Sequence, residues 1–139
     1  MSVHYDEINI KTKGEVDIID LTEQVQKIVD KSKIKEGIAT VFNPGSTGSI
    51  TTIEYEPGLK KDIPRILQEI APKGVHYDHQ ETWHDDNGHS HVRASLIGPS
   101  LTVPIRNGEV VHGTWQQIVF MEFDTKSRKR DIVVQIIGE

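Results

Sequence analysis

The sequence predicts an α+β domain, in which a mostly antiparallel β-sheet of seven or eight strands carries two α-helices. Three observations support this prediction. Apolar residues recur at helical spacing in only two segments. Short runs rich in Val, Ile, Thr and aromatic residues, separated by Gly, Asn and Pro, fill most of the rest. The 139 residues contain no repeat or linker, so residues 1–139 are expected to form one domain with its own core.

The amino-terminal part begins with a strand and a helix. Residues 3–12, "VHYDEINIKT", alternate imperfectly between apolar and polar residues and predict a strand. Residues 21–29 carry apolar side chains at helical spacing. Asp20 and Glu23 have the spacing of a capping box, so the helix is expected to begin at this pair.

Two further strands and a second helix follow. Residues 37–42 and 50–56 are rich in β-branched residues and predict strands joined by the turn "NPGSTGS". Residues 59–70 have an amphipathic helical pattern that ends before Pro72. Pro64 fits this helix best if the helix begins near Asp62, because proline is tolerated in a first turn.

The carboxy-terminal half is predicted to consist almost wholly of strands. The "RNG" tripeptide at residues 106–108 is typical of a hairpin turn, because Asn and Gly tolerate positive φ. The predicted strands cover residues 89–98, 100–105, 109–113, 114–124 and 130–138.

Composition excludes several classes of protein. The sequence has no apolar run near the roughly 20 residues that span a bilayer, and its start lacks the pattern of a signal peptide. A cytoplasmic location without membrane attachment is therefore expected. There is no cysteine, so a metal would have to use His, Asp or Glu as ligands.

Charge argues against nucleic-acid binding. The net charge is −5, whereas binding along a phosphate backbone needs a basic surface. The one dense basic run, "KSRKR" at residues 126–130, is predicted to be a solvated turn between strands.

The segment "HYDHQETWHDDNGHSH", residues 76–91, holds five of the seven histidines. It can be interpreted as a metal site, as an acid/base site or as a hydrophilic loop. Its carboxylates could orient imidazoles or provide an oxygen ligand; they are Asp78, Glu81, Asp85 and Asp86.

His89 and His91 lie two apart on a predicted strand, where side chains share a face about 7 Å apart. Both could therefore bind one ion, with His79 as the third ligand. Three histidines with an open position are typical of catalytic zinc, with magnesium as the alternative metal. Arg93 would continue the same face and could bind the anionic group of a small phosphorylated metabolite.

The turn "PGSTGS" is a second candidate for anion binding. Ser46, Thr47 and Ser49 can each donate a hydrogen bond, and the glycines let backbone N–H groups converge. It is not a P-loop, because no lysine follows and the next segment is a predicted strand. A plain hairpin turn is the alternative interpretation.

Two glutamates are candidate acid/base groups. Glu122 lies on a predicted strand, within residues 114–124, that is apolar on both faces and should therefore be buried on both. It could pair with an arginine or act as a general acid/base. Glu54, in "TTIEYEP", has the same two interpretations.

Several motifs resemble the YjbQ-like family, whose members are often described as secondary thiamine-phosphate synthases. They occur in order as "GSTGSITTIEYEP", "YDH", "NGHSHVRASLIGPSLTVPI", "GTWQQIVFMEFD" and "VVQIIGE". The resemblance covers nearly the whole chain. Its most specific element is Gly-Thr-Trp-Gln at residues 113–116, which makes Gln116 a further candidate catalytic residue.

The resemblance implies an α+β homotrimer with pockets near subunit boundaries. It implies a site built on His79 and His91, with His89 matching a histidine found in part of the family. Many members also have a histidine at the position of Gly45, so this chain would use His89 or His112 instead, or do without.

The activity that the resemblance implies joins a hydroxymethylpyrimidine diphosphate to a thiazole phosphate and releases pyrophosphate. The residues themselves also fit a metal-dependent hydrolase or lyase of a small phosphorylated metabolite, since histidine ligands favour transition metals over magnesium. A non-catalytic trimer that binds a metal or small ligand is the third hypothesis.

Overall fold

The computed structural model describes residues 1–139 and confirms the α+β class. Eight strands and four helices follow one another along the chain. They are β1 (Ser2–Lys11), β2 (Asp17–Asp20), α1 (Thr22–Ser32), β3 (Gly37–Phe42), β4 (Gly48–Ile53), α2 (Pro57–Ile70), α3 (His79–Trp83), α4 (Gly88–Ile97), β5 (Ser100–Arg106), β6 (Glu109–Val110), β7 (Gln117–Glu122) and β8 (Lys129–Gly138).

The strands form two antiparallel sheets. The five-stranded sheet has the order β1-β8-β3-β5-β6, and the three-stranded sheet has the order β2-β7-β4. The "RNG" turn between β5 and β6 is confirmed, with φ of 52° at Asn107 and 79° at Gly108.

The core has two parts that lie on either side of β7. Ile118 and Phe120 belong to a larger cluster with α1 and the five-stranded sheet. Val119 and Met121 belong to a smaller cluster that also contains Leu67 of α2. The strand is therefore buried on both faces, as its sequence predicted.

The prediction of a strand at residues 89–98 was wrong, because α4 covers this segment. The alternation of Val92 and Leu96 with polar residues suggested a strand. In the structure both of these apolar side chains are exposed, while polar side chains such as His89 and Arg93 are buried. A helix that buries its polar side gives no apolar helical periodicity to detect.

Other boundaries also differ from the predictions; β4, for example, covers Gly48–Ile53 rather than residues 50–56. Helix α2 begins at Pro57, where the Glu56 carboxylate accepts hydrogen bonds from two backbone N–H groups, so Pro64 lies in the helix interior. Residues 114–116 precede β7, and β6 is confined to residues 109–110. None of the four helices is long and apolar enough to cross a membrane.

Candidate functional site

An open cleft of about 330 Å³ lies where the turn between β3 and β4 meets the first turn of α4 and the connection from β7 to β8. All of its lining residues are polar or glycine. They are Gly45, Ser46, Thr47, Asp85, Asn87, His91, Asp124, Arg128 and Arg130. A smaller pocket beside it shares Gly45, Ser46 and His91, so this histidine lies between the two.

His79 and His91 meet at the edge of the cleft. His79 begins α3, His91 lies in the first turns of α4, and their ring centroids are 4.3 Å apart at an interplanar angle of 49°. Nε2 of His79 lies 3.1 Å from Oδ1 of Asn87 and 3.4 Å from Oδ1 of Asp85. Donation by this nitrogen leaves Nδ1 of His79 with the lone pair that a metal would need.

The environment of His91 favours its neutral form. Burial lowers the pKa of this imidazole and the neighbouring His79 lowers it further, while Asp85 and Asp124 act in the opposite sense. A neutral imidazole has a free nitrogen lone pair. His91 is therefore available as a ligand at neutral pH.

The structure does not bring His89 to this site. Residues two apart on a helix point to different sides, so the expectation that His89 and His91 share one face was wrong. His89 is almost completely buried, and its Nε2 lies 2.7 Å from Oε2 of Glu15. Lys73 contacts the other oxygen of the same carboxylate.

Burial alone would raise the pKa of Glu15. The hydrogen bonds and charges of Lys73 and His89 outweigh burial and hold that pKa below its ordinary value. His89 therefore belongs to an ionic contact that joins the segment before β2 to the start of α4.

Arg93 lies outside the cleft. Its guanidinium is buried, with Nε donating to the carbonyl of Ala71 at 2.9 Å and Nη2 donating to Oε1 of Gln68 at 3.1 Å. Burial also lowers the pKa of this guanidinium. Arg93 connects α4 to the end of α2, and its donors are directed at the protein rather than at an outside anion.

The three hydroxyls of the turn have different environments. Ser46 is exposed and lines the cleft. The Thr47 hydroxyl donates to Oδ2 of Asp124 at 3.1 Å. Ser49 is buried and donates to the carbonyl of Ala94 at 3.1 Å, so only the first two belong to the cleft.

Glu122 is fully buried and paired with Arg130. Nε and Nη2 of Arg130 donate to its two oxygens at 3.1 and 2.5 Å, and the Thr12 hydroxyl donates at 2.9 Å. This arrangement corresponds to the arginine pair that was one of its two predicted interpretations. Glu54 and Gln116 are exposed and line neither pocket, and Gln116 accepts a hydrogen bond from the backbone of Gly113.

Sequence reasoning missed the two arginine–carboxylate pairs at the wall of the cleft, Arg128–Asp124 and Arg130–Glu122. Nε and Nη2 of Arg128 lie 2.8 and 2.6 Å from Oδ2 of Asp124. Hydrogen bonds from Arg128 and Thr47 outweigh the effect of burial and hold the pKa of Asp124 below its ordinary value. The signal was present in the sequence, because Glu122 and Asp124 mirror Arg128 and Arg130 across the turn at residues 125–127.

Other histidines lie elsewhere. Nε2 of His76 lies 3.4 Å from an oxygen of Asp78 and from one of Glu81, but all three side chains are exposed, as expected of surface ion pairs. His84 and His112 are exposed and outside the cleft. Gly45 does line the cleft, and neither His89 nor His112 occupies its place.

Comparison with known proteins places this architecture in a family. The model of the family described as "UPF0047 protein YjbQ-like" matches residues 6–139. A UPF0047 protein of Methanothermobacter thermautotrophicus is 39% identical, and the match covers 100% of this chain and 95% of that protein. One from Archaeoglobus fulgidus is 37% identical over 91% of this chain and 97% of its own length.

Solved structures agree with this assignment. A YbjQ-like protein of unknown function from Sulfolobus solfataricus superposes with a TM-score of 0.94 at 38% identity and covers 99% of both chains. An uncharacterized YjbQ/UPF0047 protein of Clostridium acetobutylicum has a TM-score of 0.86 at 40% identity and covers 95% of this chain and 99% of its own. This chain belongs to the YjbQ-like UPF0047 family.

Proposed function

We propose that this protein is a metal-dependent enzyme that acts on a small phosphorylated metabolite in the cleft beside His91. The main support is the contact between His79 and His91, with ring centroids 4.3 Å apart, at the edge of a cleft that also holds two arginines. Imidazole ligands and guanidinium groups together suit a metal and an anion bound side by side.

The donor set fits a transition metal. Two imidazoles favour zinc over magnesium, which prefers oxygen ligands and keeps much of its water. His79 and His91 would hold the ion, and Asp85 and Asn87 would orient His79 through its Nε2. Such a metal supplies Lewis-acid stabilisation of negative charge on a phosphate or leaving group.

The chain's own residues position the phosphate. Asp124 holds Arg128, and Glu122 holds Arg130, so both guanidinium groups stay at the wall of the cleft. Groups that are fixed before the reaction need no reorganisation when charge develops on the leaving oxygen. The exposed Ser46 hydroxyl is available as a further donor at this wall.

The specific reaction that we propose is the one implied by the family resemblance. A hydroxymethylpyrimidine diphosphate would be joined to a thiazole phosphate with release of pyrophosphate. Neutralisation of the departing pyrophosphate is the requirement that the arginines and the metal site would meet. Glu54 and Gln116 lie outside the cleft of one chain, so a catalytic role for either would need a neighbouring subunit.

Assembly as a homotrimer is part of the proposal. The outer face of the five-stranded sheet exposes large apolar side chains on neighbouring strands, which is typical of an interaction surface. They are Val3, Tyr5, Ile38, Phe42 and Ile137. A second copy of the chain is the occupant that the family resemblance suggests for this face.

A metal-dependent hydrolase or lyase is the second candidate. The histidine and aspartate side chains of the cleft favour it, because such donor sets commonly activate water for hydrolysis of phosphate esters. A protein that only binds a metal and a small ligand would bind the same compounds without turnover.

Product analysis on the zinc-loaded protein separates these candidates. A synthase forms thiamine phosphate and pyrophosphate only with both substrates, whereas a hydrolase releases phosphate from one substrate and water. The control is the His79→Ala/His91→Ala variant, which should lose either activity. Saturable binding without any product, in both assays, would refute the enzyme proposal.

A further inference from the structure

Arg130 has one donor group that the protein does not use. Its Nε and Nη2 atoms bind Glu122, and Nη2 also donates to the Thr47 hydroxyl at 2.9 Å. Nη1 makes none of these bonds and lies beside Gly45 at the wall of the cleft. The guanidinium is therefore fixed by three contacts, while Nη1 makes none of them and lies against Gly45, which lines the cleft.

Gly45 makes room for this nitrogen. A Cβ atom at position 45 would lie 2.8 Å from Nη1 of Arg130, closer than a carbon and a nitrogen approach without strain. The φ of Gly45 is not positive, so its backbone conformation does not require glycine. Glycine at position 45 therefore leaves the space that Nη1 of the Arg130 guanidinium occupies.

The charges of the cleft do not favour an anion by themselves. Arg128 and Arg130 are balanced by Asp124 and Glu122, and Asp85 adds one further negative charge. These five side chains together have a net charge of about −1, so the fixed charges of the cleft do not attract a phosphate dianion. A divalent cation at His79 and His91 changes that net charge to about +1.

We propose that Nη1 of Arg130, together with Arg128 and the Gly45–Ser46 turn, forms a phosphate-binding subsite that is active only when a divalent cation is bound at the histidine pair. This inference rests on the metal site of the proposed function. It adds which residues bind the phosphate and the order in which metal and phosphate bind. The substrate's phosphate binds after the metal, and by thermodynamic reciprocity it tightens metal binding by the same factor.

Calorimetric titration of methylphosphonate, a small non-hydrolysable phosphate analogue, tests this subsite. The full-length protein is titrated once free of metal and once with one equivalent of zinc. We expect zinc to tighten methylphosphonate binding by roughly 10- to 100-fold, the usual range of coupling between sites. The same factor should appear when zinc is titrated in the presence and absence of methylphosphonate.

Three variants locate the subsite. Gly45→Ala displaces the Arg130 guanidinium and Arg128→Gln removes its neighbour, so each should weaken methylphosphonate binding by roughly tenfold or more while zinc still binds. Lys129→Ala is the matched control, because Lys129 lies between the two arginines on the chain but is exposed and outside the cleft. It should bind methylphosphonate like the unaltered protein.

The outcomes distinguish this inference from the proposed function. Equal methylphosphonate affinity with and without zinc, or affinity unaffected by Gly45→Ala and Arg128→Gln, overturns the subsite and leaves the metal site in place. Zinc binding without any methylphosphonate binding also overturns the subsite and leaves the metal site in place. Failure of zinc itself to bind in a manner that depends on His79 and His91 overturns both proposals.

Discussion

At the scale of single residues, opposite charges fix one another around the cleft. Arg130 is held by a fully buried carboxylate, and Arg128 is held by Asp124. Because the Arg130–Glu122 pair is largely out of water, removing one of its partners leaves an uncompensated buried charge, whereas the Arg128 side chain of the other pair is 47% exposed. Their first contribution is to hold the wall of the cleft in position.

Glu122→Gln is expected to lower the free energy of unfolding by about 3 kcal/mol or more, since it leaves Arg130 without its buried counter-charge. Chemical denaturation measures the loss. Glu109→Gln, at an exposed position on β6, is the control and should change little. Full stability with abolished turnover would instead favour the acid/base interpretation of Glu122.

Glu15 gives a stability effect that depends on pH. Its pKa in the folded protein lies below the ordinary value of about 4.5, so its contribution is fully present above that value and is lost as the pH falls through the folded pKa. We expect Glu15→Gln to unfold more easily than the unaltered protein at pH 7 and to approach it below pH 4.5. Unfolding curves over this pH range measure the difference.

The matched control for Glu15 is Glu69→Gln, which removes an exposed carboxylate from α2. It should lack the pH-dependent difference. A stability loss for Glu15→Gln that is constant from pH 7 to pH 3 would show that the ionic contact with Lys73 and His89 contributes nothing.

At the scale of elements, sequence reasoning succeeded where apolar side chains are buried and failed where polar ones are. Strand β7 was predicted to be buried on both faces because both of its faces are apolar. Helix α4 was missed because its buried side is formed by His89, Ser90 and Arg93, while Val92 is exposed. A pattern of apolar residues cannot identify an element that buries polar groups.

The same limit affected the site. His79 and His91 were candidates because imidazoles are recognisable in a sequence and because the family resemblance includes both, although the strand argument that paired His91 with His89 was wrong. Arg128 and Arg130 were assigned to a solvated turn, because their partners Asp124 and Glu122 act only once the chain folds back. The opposite charges on the two sides of residues 125–127 were visible in the sequence, but only the fold shows that they face one another across this turn.

The turn before β4 and the first residue of that strand, Gly48, have different roles, the turn in binding and Gly48 in packing. A Cβ at Gly48 would lie 2.4 Å from Cζ of the fully buried Phe120 ring. Gly48→Ala is therefore expected to lower the free energy of unfolding by about 1–3 kcal/mol through overpacking. Thermal or denaturant unfolding measures it.

Gly45→Ala, three residues earlier, is the matched comparison. The atom that it meets is Nη1 of Arg130, the one guanidinium nitrogen outside the contacts with Glu122 and Thr47, so a small shift can relieve the clash without breaking those contacts, and stability should change by less than about 1 kcal/mol. If Gly45→Ala and Gly48→Ala lowered the free energy of unfolding equally, the assignment of packing to Gly48 and of binding to Gly45 would be wrong.

At the scale of the whole molecule, the proposed trimer depends on the outer face of the five-stranded sheet. A charge placed in the middle of an apolar interface leaves a desolvated, unpaired group when subunits associate. We expect Ile137→Lys to shift the protein from trimer to monomer while its fold is retained. Light scattering coupled to size exclusion measures the mass of each species.

Ile70→Lys is the control, because Ile70 is also exposed but lies at the end of α2 rather than on the sheet. It should remain trimeric. A monomeric unaltered protein, or a trimer that tolerates Ile137→Lys, would show that this face is not the interface.

The central claim is that His79 and His91 bind a divalent transition metal. Metal content is measured by mass spectrometry on untagged protein purified without chelator, for the unaltered chain, His79→Ala/His91→Ala and the control His76→Ala/His84→Ala. We predict close to one equivalent of zinc or another transition metal per chain, lost only in the first variant. Metal that persists without His79 and His91, or none in the unaltered protein even after incubation with zinc and dialysis, would contradict the claim.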